Sequence, residues 1–256
     1  MRILILGGTA EARQLAGRLA ARPELDVTLS LAGRTAHPAA QPVPVRIGGF
    51  GGFQGLADYL MRERIDAVID ATHPYAAVMS AHAVQAAVST KIPLLALKRL
   101  PWTPVASDRW IEVDDVAAAV TALGPDPRRV FLAVGRKELA PFVAAPQHHY
   151  LVRSVDPVDP PLAVPHATYV TGRGPFNEDN DRALLSTHDI DILVAKNSGG
   201  DATYGKIAAA RTLGLPVVML RRPPLENAPA AHNVATIDAA VAWIDHALAH
   251  CSDLGV

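Results

Sequence analysis

A single cysteine, Cys251, near the C-terminus, rules out an intramolecular disulfide and fits a reducing compartment. Aromatic residues are scarce, at 5 % of the chain, so the core must be built from Ala, Val, Leu and Ile. That mixture suits parallel sheets buried under helices. No apolar run is long enough to span a bilayer. The N-terminal apolar run is only a strand long and meets glycines at once, so it does not read as a secretion signal. Charge of one sign is also missing: 24 basic against 25 acidic residues leave a net charge of −1. No global field therefore draws nucleic acid or a membrane surface. The chain has no paired cysteines, no H-E-x-x-H and no G-x-S-x-G elbow. His148 and His149 are adjacent, so on a strand they face opposite ways and cannot share a metal. These gaps leave metal sites and nucleophilic catalysis without support. They describe a soluble, cytoplasmic protein that meets any anionic ligand through local clusters of Arg and Lys.

What remains is an alternation of apolar runs and helical patterns. Strands are expected at 3–6, 27–32, 43–47, 66–70 and 92–97, with helices at 11–21, 53–64 and 76–89. Pro74 stands where a proline opens a helix. The stretch Lys98-Arg99-Leu100-Pro101-Trp102-Thr103-Pro104 breaks the rhythm, as a linker would. Strands are then expected at 109–113, 129–134, 149–153, 168–171, 191–195 and 216–220, with helices at 116–123, 178–187, 203–213 and 237–250. This divides the chain into a first domain at 1–98, a linker at 99–108 and a second domain at 109–256. Two sets of alternating strands and helices imply two doubly wound parallel sheets. Whether the last strand of each half stays in its own sheet is left open.

The opening strand runs into Gly7-Gly8-Thr9, a turn that leaves helix N–H groups pointing outward and suits a phosphate. It is not the full G-x-G-x-x-G fingerprint, because Thr9 and Ala12 stand where glycines belong. The end of the second strand lacks the acid that NAD sites use for the ribose and offers Ser30 instead, with Gly33-Arg34-Thr35 following. Arginine with hydroxyl neighbours suits a 2′-phosphate and favours NADP over NAD; an ordinary surface loop is the plain alternative. Four glycines among residues 48–52 mark a mobile loop or a close backbone approach to ligand. The fourth strand ends in Thr72-His73-Pro74-Tyr75, at the edge where open α/β sheets bind ligands.

In the second half, strand after strand ends in a basic residue: Arg136-Lys137, Arg153, Arg173, Lys196 and Arg221-Arg222. In a parallel sheet these ends share one edge, and five such segments make a basic crevice for several carboxylates or phosphates. Gly200 to Lys206 also reads G-x-x-x-x-G-K, the spacing of a P-loop. Ile207 replaces the Ser or Thr that holds magnesium there, so a flexible loop closing over ligand explains the residues better than ATP chemistry.

Taken together, Gly7-Gly8-Thr9-Ala10-Glu11-Ala12-Arg13, Asp70-Ala71-Thr72-His73-Pro74-Tyr75-Ala76, Arg99-Leu100-Pro101-Trp102 and Lys196-Asn197-Ser198-Gly199-Gly200 resemble the precorrin-6A reductase family. Thr203, Lys206 and the segment from Arg211 to Pro216 extend the resemblance over nearly the whole chain. Cobalt-precorrin-6A reductases are the close siblings. The resemblance implies an α/β fold of two Rossmann-like doubly wound parallel-sheet domains with a cleft between them, one for coenzyme and one for tetrapyrrole. It implies an NADPH-dependent oxidoreductase of cobalamin biosynthesis that reduces one double bond of precorrin-6A to give precorrin-6B. A precorrin carries acetate and propionate arms around its rim, so it is a polycarboxylate of the kind the basic crevice calls for.

On this basis Gly7, Gly8 and Thr9 are expected to bind the pyrophosphate, Ser30 and Arg34 the 2′-phosphate, and Thr72 and His73 the nicotinamide ribose. Arg136, Lys137, Arg153, Arg173, Lys196, Ser198, Gly199 and Arg221 are expected to hold substrate. His73, Tyr75 and Tyr204 are candidate proton donors for the carbon next to the hydride acceptor; water or a substrate carboxyl would also serve. No metal, nucleic acid or membrane is expected, and protein partners reduce to transient contact with neighbouring pathway enzymes. Three alternatives stay open: the cobalt form of the substrate, an NADP-dependent reductase of another polycarboxylate, and a nucleotide-sensing module without catalysis.

Overall fold

The computed structural model describes residues 1–33, 39–223 and 231–253. The first half runs β1 (Arg2–Leu6), α1 (Ala10–Ala20), β2 (Asp26–Leu31), β3 (Val45–Ile47), α2 (Phe53–Arg62), β4 (Ala67–Asp70), α3 (Ala77–Thr90) and β5 (Leu94–Leu97). The strands pair in parallel in the order β5-β4-β1-β2-β3. β1 is central and covered on both faces, which explains its unbroken apolar run. Its alternating side chains divide between the faces. Ile3 and Ile5 pack with Ala12, Leu15 and Leu19 of α1, while Leu4 and Leu6 pack with Leu56 and Leu60 of α2 and Ala83 of α3.

The second half runs β6 (Trp110–Val113), α4 (Val116–Ala122), β7 (Arg129–Ala133), β8 (His149–Ser154), β9 (Ala167–Thr171), α5 (Glu178–Thr187), β10 (Ile192–Lys196), α6 (Gly205–Thr212) and β11 (Val217–Leu220). Two 3-10 turns at Arg136–Glu138 and Ala140–Ala144 replace a helix between β7 and β8. Six parallel strands form a second sheet ordered β6-β11-β10-β7-β8-β9. Helix starts follow from side-chain caps. Asp115 accepts the Ala118 N–H at 2.8 Å, and Asn177 accepts the Asn180 N–H at 2.8 Å.

The tail corrects the expected division at 109–256. β12 (Ala231–Val234) pairs with β5, making six strands in the first sheet, and α7 (Ile237–Asp253) packs Ala240 and Ile244 against the face that carries α1. An Arg18–Asp238 ion pair joins α1 to α7, and Arg22, just beyond α1, pairs with Asp245 of α7. Met1–Leu100 with β12 and α7 therefore form one compact unit, and Pro101–Pro223 the other. Among the described residues no helix is long and apolar enough to cross a membrane.

Candidate functional site

In the first unit every carboxyl strand end lies on one sheet edge, and the chain leaves β1 towards β2 on one side while β4 lies on the other. That reversal opens a crevice between the loops after β1 and β4. Gly8 has φ +113°, a conformation that favours glycine. A Cβ on Gly7 would lie 2.6 Å from Leu29 Cδ1. Thr9 caps α1: its Oγ1 accepts the Ala12 N–H at 3.1 Å and donates to the Ala71 carbonyl at 2.8 Å, tying the two loops together. Glu11, in the first helical turn, pairs with Arg99 at 2.5 Å. A small pocket here is lined by Thr9, Glu11, Thr72, Pro74, Lys98 and Arg99.

Beneath it lies a polar network that the sequence did not reveal. The Lys98 ammonium sits 2.8 Å from the Asp70 carboxylate, and both side chains are about 95 % or more buried, at 5 % and 3 % exposed. Asp70 also accepts from the Thr72 N–H at 3.0 Å, the Thr72 hydroxyl at 2.6 Å and the Ser80 hydroxyl at 2.6 Å. Lys98 in turn donates to Thr72 Oγ1 at 2.9 Å and Ser80 Oγ at 3.2 Å. Burial pushes the Asp70 carboxyl up. The Lys98 charge and the hydrogen bonds from Lys98, Ser80 and Thr72 outweigh it and hold the carboxyl below its ordinary range. Thr72 is thereby fixed from both sides. The turn continues through His73, whose Nδ1 accepts the Tyr75 N–H at 3.3 Å. The His73 and Tyr75 rings lie 5.6 Å apart. The helix expected from Ala76 begins at Ala77, and Pro74 belongs to the preceding turn.

Farther along the same edge, Ser30 is only 5 % exposed, and its Oγ accepts from Arg46 Nη1 at 3.3 Å. Ser30 and Arg46 are register partners of β2 and β3. Arg46 also donates to the Gly48 carbonyl at 2.6 Å and the Gly49 carbonyl at 2.7 Å, and its guanidinium stands 3.8 Å over the Phe50 ring. Arg34 and Thr35 lie outside the described residues.

In the second unit the basic strand ends do share one sheet edge, but their environments differ. Arg136 and Lys137 are exposed; Arg136 Nη1 donates to the Pro157 carbonyl at 3.3 Å and Nη2 lies 3.7 Å from Asp156. Arg173 is exposed in the loop after β9. Lys196 pairs with Glu138 at 3.0 Å, and Arg221 with Asp114 at 2.9 Å. Arg153 is turned inward. It forms a buried ion pair with Asp181, and its guanidinium stands 3.9 Å from the Phe176 ring centre and 4.9 Å from that of Phe131. The strand pattern showed the cations, whereas their carboxylate partners come from other elements.

The loop after β10 is tied to the segments around it by side-chain hydrogen bonds to backbone groups. Asn197 Oδ1 accepts the Trp102 N–H at 2.8 Å, and its Nδ2 donates to the Trp102 carbonyl at 2.9 Å. Trp102 Nε1 donates to the Gly200 carbonyl at 2.8 Å, and Arg222 donates to the carbonyls of Asn197 and Ser198 at 2.7 and 2.9 Å. Ser198 is buried, and Gly199 has φ +66°. Tyr204 accepts from Arg211 at 2.5 Å, and Asp108 holds Arg211 at 2.8 Å. Both contacts push the Arg211 pKa up.

A model of the family described as Precorrin-6x reductase CbiJ/CobK matches residues 2–245. A precorrin-6A reductase from Sinorhizobium sp is 54 % identical over 248 residues, covering 97 % of this chain and 94 % of the relative. The solved structure of CobK precorrin-6A reductase superposes with a TM-score of 0.92 at 51 % identity, covering 96 % of this chain and 97 % of its own. A cobalt-precorrin-6A reductase from Priestia megaterium is more distant, at 29 % identity, covering 88 % of this chain and 91 % of the relative.

Proposed function

The chain belongs to the precorrin-6x reductase family, and we propose that it reduces precorrin-6A to precorrin-6B with NADPH. The observation that carries this reading is the open glycine turn at the reversal point of a wholly parallel sheet. The residues fit a dinucleotide: Gly7 and Gly8 keep the turn free of side chains, and helix α1 starts directly after it at Thr9, so its N-terminal end suits a phosphate. Gly7, Gly8 and Thr9 hold the pyrophosphate, Ser30 and Arg34 belong to the adenosine end, and Thr72 and His73 meet the nicotinamide ribose. When bound, the nicotinamide supplies a hydride to one carbon–carbon double bond of the macrocycle. The protein orients the reactants and excludes water.

Arg136, Lys137, Arg173, Lys196 and Arg221, with Ser198 and Gly199, recognise the carboxylate arms. Arg153 supports that edge through its ion pair with Asp181. The carbon beside the hydride acceptor takes a proton from His73, Tyr75, Tyr204, water or a substrate carboxyl. Arg211 donates to the Tyr204 hydroxyl oxygen. The greater similarity to a metal-free-substrate enzyme than to the cobalt one favours precorrin-6A itself as substrate. Cytoplasmic action is part of the same reading.

Incubation with NADPH and either precorrin-6A or its cobalt form, followed at the NADPH absorbance, tests the assignment. Oxidation with precorrin-6A is expected, and no oxidation with either substrate overturns it. Arg136→Ala is expected to raise the substrate KM about 10- to 100-fold, the loss of a charge-assisted hydrogen bond, while the NADPH dissociation constant stays put. An unchanged KM would remove Arg136 from the carboxylate site.

A further inference from the structure

We propose that Arg46 receives the 2′-phosphate of the coenzyme and thereby sets a preference for NADPH over NADH. The inference rests on the coenzyme reading of the first unit and adds a residue that the sequence pattern did not single out. Arg46 belongs to β3, beside the carboxyl end of β2, where a doubly wound fold meets the adenosine ribose. Residues 30–33, which end β2, include no acid to hold a ribose 2′-hydroxyl.

Four features of Arg46 fit a phosphate. First, it makes no ion pair among the described residues, whereas Arg99, Lys196 and Arg221 at other strand ends all have carboxylate partners. Second, its position is fixed: the guanidinium lies 3.8 Å over Phe50 and is held by the carbonyls of Gly48 and Gly49. Third, those bonds and the one to Ser30 engage Nη1 twice and Nη2 once. The Nε–H and the second Nη2–H have no acceptor among the described residues, and a guanidinium offers five such donors in a rigid fork. Fourth, Arg46 donates to the buried Ser30 hydroxyl, which places the guanidinium at the carboxyl end of β2. Phosphate oxygens suit that remaining donor pair, and a ribose hydroxyl does not need its charge.

The competing role is purely architectural, a clamp on the glycine loop. The two roles separate by ligand. Dissociation constants for NADPH, NADH and adenosine 2′,5′-bisphosphate are measured on the wild-type chain, Arg46→Gln and Arg46→Lys. Glutamine keeps N–H donors for the loop carbonyls and removes the charge; lysine keeps the charge and loses the fork. Arg46→Gln is expected to weaken NADPH and the bisphosphate about 10- to 100-fold and leave NADH unchanged, with Arg46→Lys in between. An equal loss for NADPH and NADH overturns the proposal in favour of the clamp, and no loss for either overturns it outright. If the wild-type chain binds neither dinucleotide, the coenzyme reading itself fails and the assignment falls with it.

Discussion

Asp70→Asn will cost the first unit about 3–5 kcal/mol and lower its thermal midpoint by roughly 10 °C, because it strands a buried ammonium without its counter-charge. Lys98 and Asp70 lie 2.8 Å apart with almost no solvent contact, so water cannot replace the lost carboxylate. The double variant Asp70→Asn/Lys98→Met removes both charges and should recover much of the loss, which separates the stranded charge from simple repacking. The same pair predicts a pH dependence with a definite sign. The Asp70 carboxyl titrates below its ordinary range in the folded chain. A group whose folded pKa is depressed contributes fully above its unfolded pKa, about 3.9, and that contribution is lost as pH falls through the folded value. Stability curves of wild type and Asp70→Asn should therefore stand apart at neutral pH and converge only below that range. Parallel curves with equal midpoints at pH 7 would refute the buried pair as a major support.

This pair also shows where sequence reading reached its limit. The apolar run at β1, the glycine turn and the helix after it were legible because each is a local pattern with a local cause. Lys98 was visible only as half of a basic pair beside two prolines, and so looked like part of a linker. Its role depends on Asp70 and Ser80, which reach it only after β4 and β5 pair and α3 folds back. Arg153 shows a different limit. Its place at a strand end is a local pattern, but the carboxylate that pairs with it, Asp181, belongs to α5. Strand β12 has the sequence Ala-His-Asn-Val, with no run or alternation to mark it. It becomes a strand because β5 offers an unpaired edge, with Ala231 opposite Leu94 and Val234 opposite Leu97. Arg46 lies in the short strand expected at 43–47, but nothing local marks it out, and its register opposite Ser30 required the sheet.

Gly205→Ala should destabilise the second unit by about 3 kcal/mol, the upper end of overpacking costs, with a midpoint lowered by several degrees. A Cβ there would lie 2.7 Å from the Asn177 carbonyl carbon and 2.8 Å from the carbonyl oxygens of Asn177 and Phe176. These are backbone atoms at the cap of α5, so no side-chain rotation relieves the contact. Displacing them disturbs the Asn177 cap and the Phe176 ring over Arg153 together. Gly17→Ala, at an open position inside α1, is the control and should stabilise by about 0.5–1 kcal/mol. The next residue completes the physical account of the G-x-x-x-x-G-K spacing. Lys206 is 4 % exposed, donates to the Thr203 carbonyl at 2.6 Å and stands 4.8 Å from the Trp102 ring centre. A P-loop lysine must reach a phosphate, whereas this one supports the loop after β10 from below. Glycine is required at 205 by the close approach of two helices, and lysine at 206 spans the gap to Trp102. If Gly205→Ala unfolded at the wild-type temperature, the close approach of residue 205 to the α5 cap would not constrain this position.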